Sequence, residues 1–98
     1  MQLPYIEKRF RRLYDEHVEK LANVLGTLLN GDDPFDSFPG ELNYVITSLI
    51  SKLLKKLPKK YSKLSMLKGV LQDVVDEFQE RIMKPYEEKK RKENGDVY

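Results

Sequence analysis

The 98-residue chain has no cysteine, no tryptophan and one histidine, His17. Without cysteine there are no disulfides, thiolate metal ligands or cysteine nucleophiles, and such a composition suits an intracellular protein. A single histidine with no thiol beside it does not make a zinc site of the usual kind. His17 falls on an apolar helical stripe, where a hydrogen-bonded boundary residue is expected rather than a ligand or the base of a hydrolase triad. The glycine-rich phosphate loops GxGxxG and GxxxxGK[ST] are absent. No apolar run approaches the roughly 20 residues that cross a bilayer. The opening MQLPYIEKRF lacks the ~7–15 apolar residues of a signal peptide, so secretion is not expected. Acidic residues are missing from one long stretch. Between Leu42 and Gln72 there is no Asp or Glu, and there are seven lysines.

What is present is charge and helical periodicity. Charged residues make up 35% of the chain, above the ordinary ~25%. Lys and Glu dominate them, the direction taken by proteins of hot-living organisms and also by many small helical proteins. The net charge is only +2, but it is unevenly placed. The lysine run follows a loop holding Asp32, Asp33 and Asp36, with Glu41 just after it, and this separation of charge matters more than the total. At 40% hydrophobic, the chain has material for one modest core, read as a single helical domain over residues 1–98.

The fold class is all-α, a small bundle of three main helices. Helix one is predicted over Leu3 to about Asn30. Pro4 sits in its first turn, Phe10, Leu13, Tyr14, His17, Leu21, Val24, Leu25 and Leu28 form one face, and Asn30-Gly31 is the stop. Helix two begins near Ser37–Pro39 and runs to about Leu57, with Leu42, Val45, Ile46, Leu49, Ile50, Leu53 and Leu57 on its face. It ends there because Pro58 disfavours helical geometry in the residue before it. Ser62 is the expected N-cap of helix three, whose face is Leu64, Leu67, Leu71, Val74, Phe78 and Ile82. Pro85 removes a backbone donor and crowds the preceding turn, which predicts a kink or break near Met83–Pro85, with helix resuming to Lys92 or Glu93. Uninterrupted, helix three is roughly 45 Å long. That exceeds what its shorter partners cover, so either Pro85 folds the last part back or that part projects and packs on another subunit. Three helices of this size also make a thin core, and a homodimer is the favoured assembly.

Three constellations carry functional alternatives. Asp73, Asp76, Glu77 and Glu80 share one side of helix three, as Mg²⁺-binding carboxylates do in some nucleotide hydrolases. They lie about opposite the Leu71–Phe78–Ile82 face, whereas a bundle metal site points inward, so a solvated face is expected. Lys52, Lys55, Lys59, Lys60 and Lys63 form a cationic cluster that fits phosphate contact by counterion release, with weak specificity because lysine offers point charge. Lysines near a helix C-terminus also simply complement the dipole, and the cluster also suits an acidic partner or an anionic membrane. Tyr44, beside Asn43, falls on the polar side of helix two. It is read either as an interface residue or as one packed on the acidic loop or the C-terminal segment.

Two phrases are more specific: Gly40-Glu41-Leu42-Asn43-Tyr44-Val45-Ile46-Thr47, and Pro85-Tyr86-Glu87-Glu88 followed by Lys89-Lys90 and by Glu93-Asn94-Gly95-Asp96-Val97-Tyr98. Together and in this order they resemble a family of short uncharacterised proteins encoded by phages, archaeal viruses and prokaryotic chromosomes. The shared phrases of that family are G-[ED]-L-N-Y-x-I-T and an ending close to PYE-[DE]-x-K-x-x-E-N-G-D-V-Y. The resemblance covers roughly residues 39–98, and departs at Leu71-Gln72-Asp73-Val74. It implies a helical protein of viral or microbial origin and no catalytic residue. It points to Asn43, Tyr44, Tyr86, Glu87, Asn94, Gly95, Asp96 and Tyr98. Of these, Gly95 has a backbone role, ending the helix at positive φ.

The leading expectation is a non-enzymatic interaction or structural accessory protein acting as a dimer, without catalytic, metal or cofactor residues. Its candidate surface is Asn43, Tyr44, Tyr86, Glu87, Asp96 and Tyr98. The alternative is a weakly specific nucleic-acid-binding protein that uses the lysine-rich 52–68 region.

Overall fold

The structure, a computed structural model, describes residues 6–27 and 37–98. These residues form helices and turns, with no strand among them. The described residues divide into two units, one within Tyr5–Pro58 and the other Lys59–Tyr98. The Pro4 first turn, the Asn30-Gly31 stop and the Asp32–Asp36 part of the acidic loop lie outside the described residues.

The first unit carries α1 (Lys8–Arg11), α2 (Asp15–Thr27) and α3 (Phe38–Leu54). The single helix predicted over 3–30 is interrupted at residues 12–14. There the N–H groups of Leu13 and Tyr14 donate three residues back, to the carbonyls of Phe10 and Arg11 at 3.3 and 3.0 Å. Four-residue spacing returns where Val18 N–H donates to the Tyr14 carbonyl at 2.9 Å. No glycine or proline marks the spot. Cations crowd it instead: Lys8, Arg9, Arg11 and Arg12 lie within five residues, and Lys8 and Arg12 stand at the four-residue spacing where like charges repel.

α3 begins at Phe38, with a proline in its first turn and Glu41 at its positive end, both favourable placements. It ends at Leu54, about a turn before the predicted Leu57. A tightened turn, with Lys56 N–H donating to the Leu53 carbonyl at 2.9 Å, leads from it towards Pro58.

The second unit is one helical run of 34 residues, Tyr61–Asn94. It comprises α4 (Tyr61–Phe78), a π-helical turn (Gln79–Met83) and α5 (Lys84–Asn94). Ser62 is not the cap. Lys60 takes that place with extended backbone, φ −115° and ψ 143°, and no side chain caps the helix. The first bonds run from Lys63 and Leu64 N–H to the Lys60 carbonyl, at 2.9 and 3.1 Å. The lysine run leaves no acceptor side chain at this position, so the backbone alone starts the helix.

Pro85 neither breaks the helix nor leaves it α-helical. The N–H of Lys84 donates five residues back, to the Gln79 carbonyl. In an α-turn the pyrrolidine ring of Pro85 would press on the carbonyl of Arg81, four residues earlier. The wider π-turn gives that ring room, and α5 starts with proline in its first turn, where the missing N–H does little harm.

The helix stops at Gly95, whose N–H donates to the Arg91 carbonyl at 2.9 Å. Its φ of 83° is positive as expected, but its ψ of 151° lies outside the left-handed helical well, in a region open essentially to glycine alone. Along all these elements no described side chain is buried.

Candidate interaction surfaces

α4 carries the largest apolar surface of its unit. At about 100° per residue, Leu64, Met66, Val70, Leu71, Val74, Val75 and Phe78 spread over an arc of about 180°, well beyond the roughly 100° stripe of a helix with one neighbour. All seven are exposed, Phe78 by 54%. The predicted face, Leu64, Leu67, Leu71, Val74, Phe78 and Ile82, follows one three-and-four repeat and leaves out Met66, Val70 and Val75. Counting every apolar position on the wheel would have found them.

The acidic residues lie beside this arc. Asp76 and Glu80 are exposed, as expected of a solvated face. Asp73 and Glu77 are half-buried instead, which corrects that expectation for these two. The Glu77 side chain keeps 20% of its exposure and holds Arg81 Nε at 2.7 Å. The wheel explains why: Glu77 falls between Met66 and Val70 in angle, within the wide arc. Glu80 holds Lys84 Nζ at 2.8 Å. That hydrogen bond first, and the carboxylate charge second, raise the Lys84 pKa above its ordinary 10.5. Asp76 accepts from Gln72 at 3.2 Å. Among the described residues no group of three or more side chains is placed to hold a metal ion.

Beyond the π-turn the surface changes character. Lys90 Nζ sits 5.7 Å from the centre of the Tyr86 ring and 3.3 Å from Glu93. Arg91 holds Glu88 at 2.9 Å and reaches Asp96 at 3.6 Å. The other Asp96 oxygen accepts the N–H of Tyr98 at 2.9 Å. Gly95 turns the chain, Asp96 fastens the turn at both sides, and an open concavity of about 360 Å³ results. Tyr86, Glu87, Lys90, Arg91 and residues 94–98 line it. Val97 and Tyr98 are 93% and 113% exposed, so two large apolar groups stand at its rim without cover.

Tyr86, Glu87, Asp96 and Tyr98, four of the six residues predicted for an interaction surface, therefore meet around one hollow. Asn43 and Tyr44 belong to the other unit and do not line it. On α3, Asn43 Oδ1 accepts the Thr47 hydroxyl at 3.1 Å, which gives both polar residues of the Asn43–Thr47 phrase a local role. Tyr44 is 69% exposed. The lysines also divide between the units, Lys52 and Lys55 on α3 and the turn after it, and Lys59, Lys60 and Lys63 in the second unit. All five are exposed, and none takes part in an ion pair among the described residues. His17 is exposed on α2.

No curated protein and no solved structure matches the chain. A family model, the domain of unknown function DUF6899, matches residues 3–97. The match takes in both units, from the start of the chain to the rim of the hollow, and the chain belongs to that family.

Proposed function

We propose that the protein is a non-enzymatic helical interaction protein that works as a homodimer. The observation that carries this reading is the absence of any buried side chain among the described residues, together with the 180° apolar arc of α4. An isolated helix is marginal in water, and tertiary packing of an apolar face supplies most helical stability. Length points to a second chain. At about 1.5 Å per residue the Tyr61–Asn94 helix runs ~51 Å, while α2 and α3 run ~20 and ~26 Å. Neither can lie along more than about half of it. The Gly40–Thr47 and Pro85–Tyr98 phrases favour a viral or microbial origin, the lack of cysteine suits action inside the cell, and the Lys/Glu-rich composition favours a heat-adapted source. Sedimentation equilibrium at micromolar concentration tests the reading. A mass of twice 11.6 kDa is expected, and a monomer at all concentrations overturns it.

A second reading has its own observation. Among the described residues Lys52, Lys55, Lys59, Lys60 and Lys63 take part in no ion pair, whereas Lys84, Lys90 and Arg91 are held by carboxylates. Free lysines on a stretch without acids suit phosphate contact, as in weak binding of nucleic acid. Fluorescence titration with single- and double-stranded DNA at two salt concentrations tests it. Affinity that falls steeply with salt and is weakened by Lys55→Glu and Lys59→Glu supports it, and no binding at low salt rejects it.

A further inference from the structure

We infer that two copies of the Tyr61–Asn94 helix pair antiparallel, with Ile82 at the crossing, so that the hollow at residues 86–98 of each copy receives the apolar 70–75 stretch of the other. The inference rests on the dimer reading and adds its geometry. The first argument is charge. Residues 73–80 hold four carboxylates and no base, while residues 84–92 hold five cations and two carboxylates. A parallel pair sets the acidic block against its own copy, and like charges facing each other are unfavourable. An antiparallel pair about Ile82 sets residues 72–80 against 84–92, acid against base.

The second argument is apolar continuity. The same register brings Phe78 opposite Tyr86 and Ile82 opposite Ile82, and all three are exposed. It also brings Val74 opposite Lys90, in the middle of the hollow. There Val97 and Tyr98 supply the apolar cover that α5, with no large apolar side chain after Tyr86, does not. The uncovered rim of the hollow and the uncovered arc of α4 thus answer one another. The π-turn lies at the crossing, where its wider backbone keeps Pro85 within a continuous helix.

Because the chain has no cysteine, single-cysteine variants report the register directly. Three variants, Val74→Cys, Ile82→Cys and Lys90→Cys, are made in the full chain. Each is treated with a short bismaleimide alone, and tagged Val74→Cys is treated after mixing with Lys90→Cys. Sedimentation first establishes the mass of each variant. Antiparallel pairing gives a cross-linked Ile82→Cys dimer and a Val74→Cys/Lys90→Cys heterodimer. Val74→Cys alone gives little product, since the two copies of residue 74 stand ~24 Å apart in that register. Efficient Val74→Cys homodimer cross-linking overturns the antiparallel proposal while leaving the dimer reading intact. A monomeric mass for the unsubstituted chain overturns both. Dimeric variants that cross-link at none of these positions show that another surface holds the copies together, and the proposal falls.

Discussion

The two halves of the long helix are stabilised by opposite means. α5 is almost entirely charged, and it holds itself with pairs three or four residues apart: Lys84–Glu80, Lys90–Glu93 and Arg91–Glu88, with Arg91 reaching on to Asp96. Each exposed pair of this kind contributes only about 0.3–0.5 kcal/mol, yet together they let a helix persist in water. α4 has few such pairs. Between Tyr61 and Gln72 it has no acidic residue at all, and its apolar arc is uncovered. Its first half also starts without a side-chain cap. One half is sustained locally, and the other is the half that the proposed pairing covers. The π-turn joins the two.

That contrast is sharpest where a charge is forced into the apolar half. Phe78→Asp should dissociate the dimer. Losing an apolar side chain that the proposed pairing would bury costs about 1.5–3 kcal/mol per copy, and two copies bring the loss to about 3–6 kcal/mol, roughly two to four powers of ten in Kd. Sedimentation across a concentration series would show it. The control belongs to the other half. Lys89→Asp, at an exposed α5 site with no ion pair among the described residues, should leave the mass nearly unchanged. An equal effect from both substitutions would erase the distinction between the halves.

Removing Asp96 to Tyr98 tests whether the segment beyond Gly95 serves the other copy. It takes away Val97, Tyr98 and the Asp96 fastening while leaving every helix in place. Val97 and Tyr98 stand at a rim that the proposed pairing covers only in part, so a weakening of about 1.5–3 kcal/mol over the two copies, ten- to a hundredfold in Kd, is expected. Helical circular dichroism at saturating protein should stay the same. Unchanged association would reduce the hollow to an incidental shape. Gly95→Ala should act in the same direction but less. The residue sits at φ 83° with nothing within 4 Å of an added Cβ, so the cost is backbone strain of about 1 kcal/mol. Urea unfolding would register it, and a substitution without effect would mean that the turn re-forms freely.

Helix content and much of the layout could be read from the sequence, because periodicity and prolines act locally. Pro39 and Pro58 bracket α3, and the apolar repeat from Leu64 to Ile82 traces a single helix. The positive φ of Gly95 follows from the Asn-Gly stop. Three features were not legible. The interruption at residues 12–14 has no glycine or proline to announce it, and crowded cations are a weaker signal. A kink or a break is predicted near Pro85; the helix is unbroken and passes the proline through a π-turn, a five-residue spacing that the proline itself does not announce, with the Arg81–Glu77 and Lys84–Glu80 pairs alongside it. The start at Lys60 shows that a good capping residue at Ser62 does not decide where backbone turns begin. As for the site, Tyr86, Asp96 and Tyr98 were picked out by resemblance alone. Their physical reason is the hollow, which needs the coordinates of the turn. The breadth of the α4 arc was present in the sequence and was narrowed by following one stripe.

The smallest effect lies at the junction of the halves. Lys84 is exposed, and its pKa is raised by the Glu80 hydrogen bond and charge. A cation whose pKa is higher in the folded state adds stability that is fully present below the ordinary 10.5 and disappears as pH climbs through the raised value. Between pH 7 and 9 the pair should therefore contribute a constant amount, and Lys84→Gln should lower the melting temperature slightly and equally at both. Only above pH 10.5 should the unsubstituted protein lose the advantage and the two melting curves converge. The pair bridges the π-turn, four residues apart across its wider backbone. If the π-turn depends on it, Lys84→Gln should also raise amide exchange at Gln79–Met83 more than in α5, where the Lys90 and Arg91 pairs remain. Exchange raised evenly along the whole helix would instead assign the π-turn to Pro85 alone.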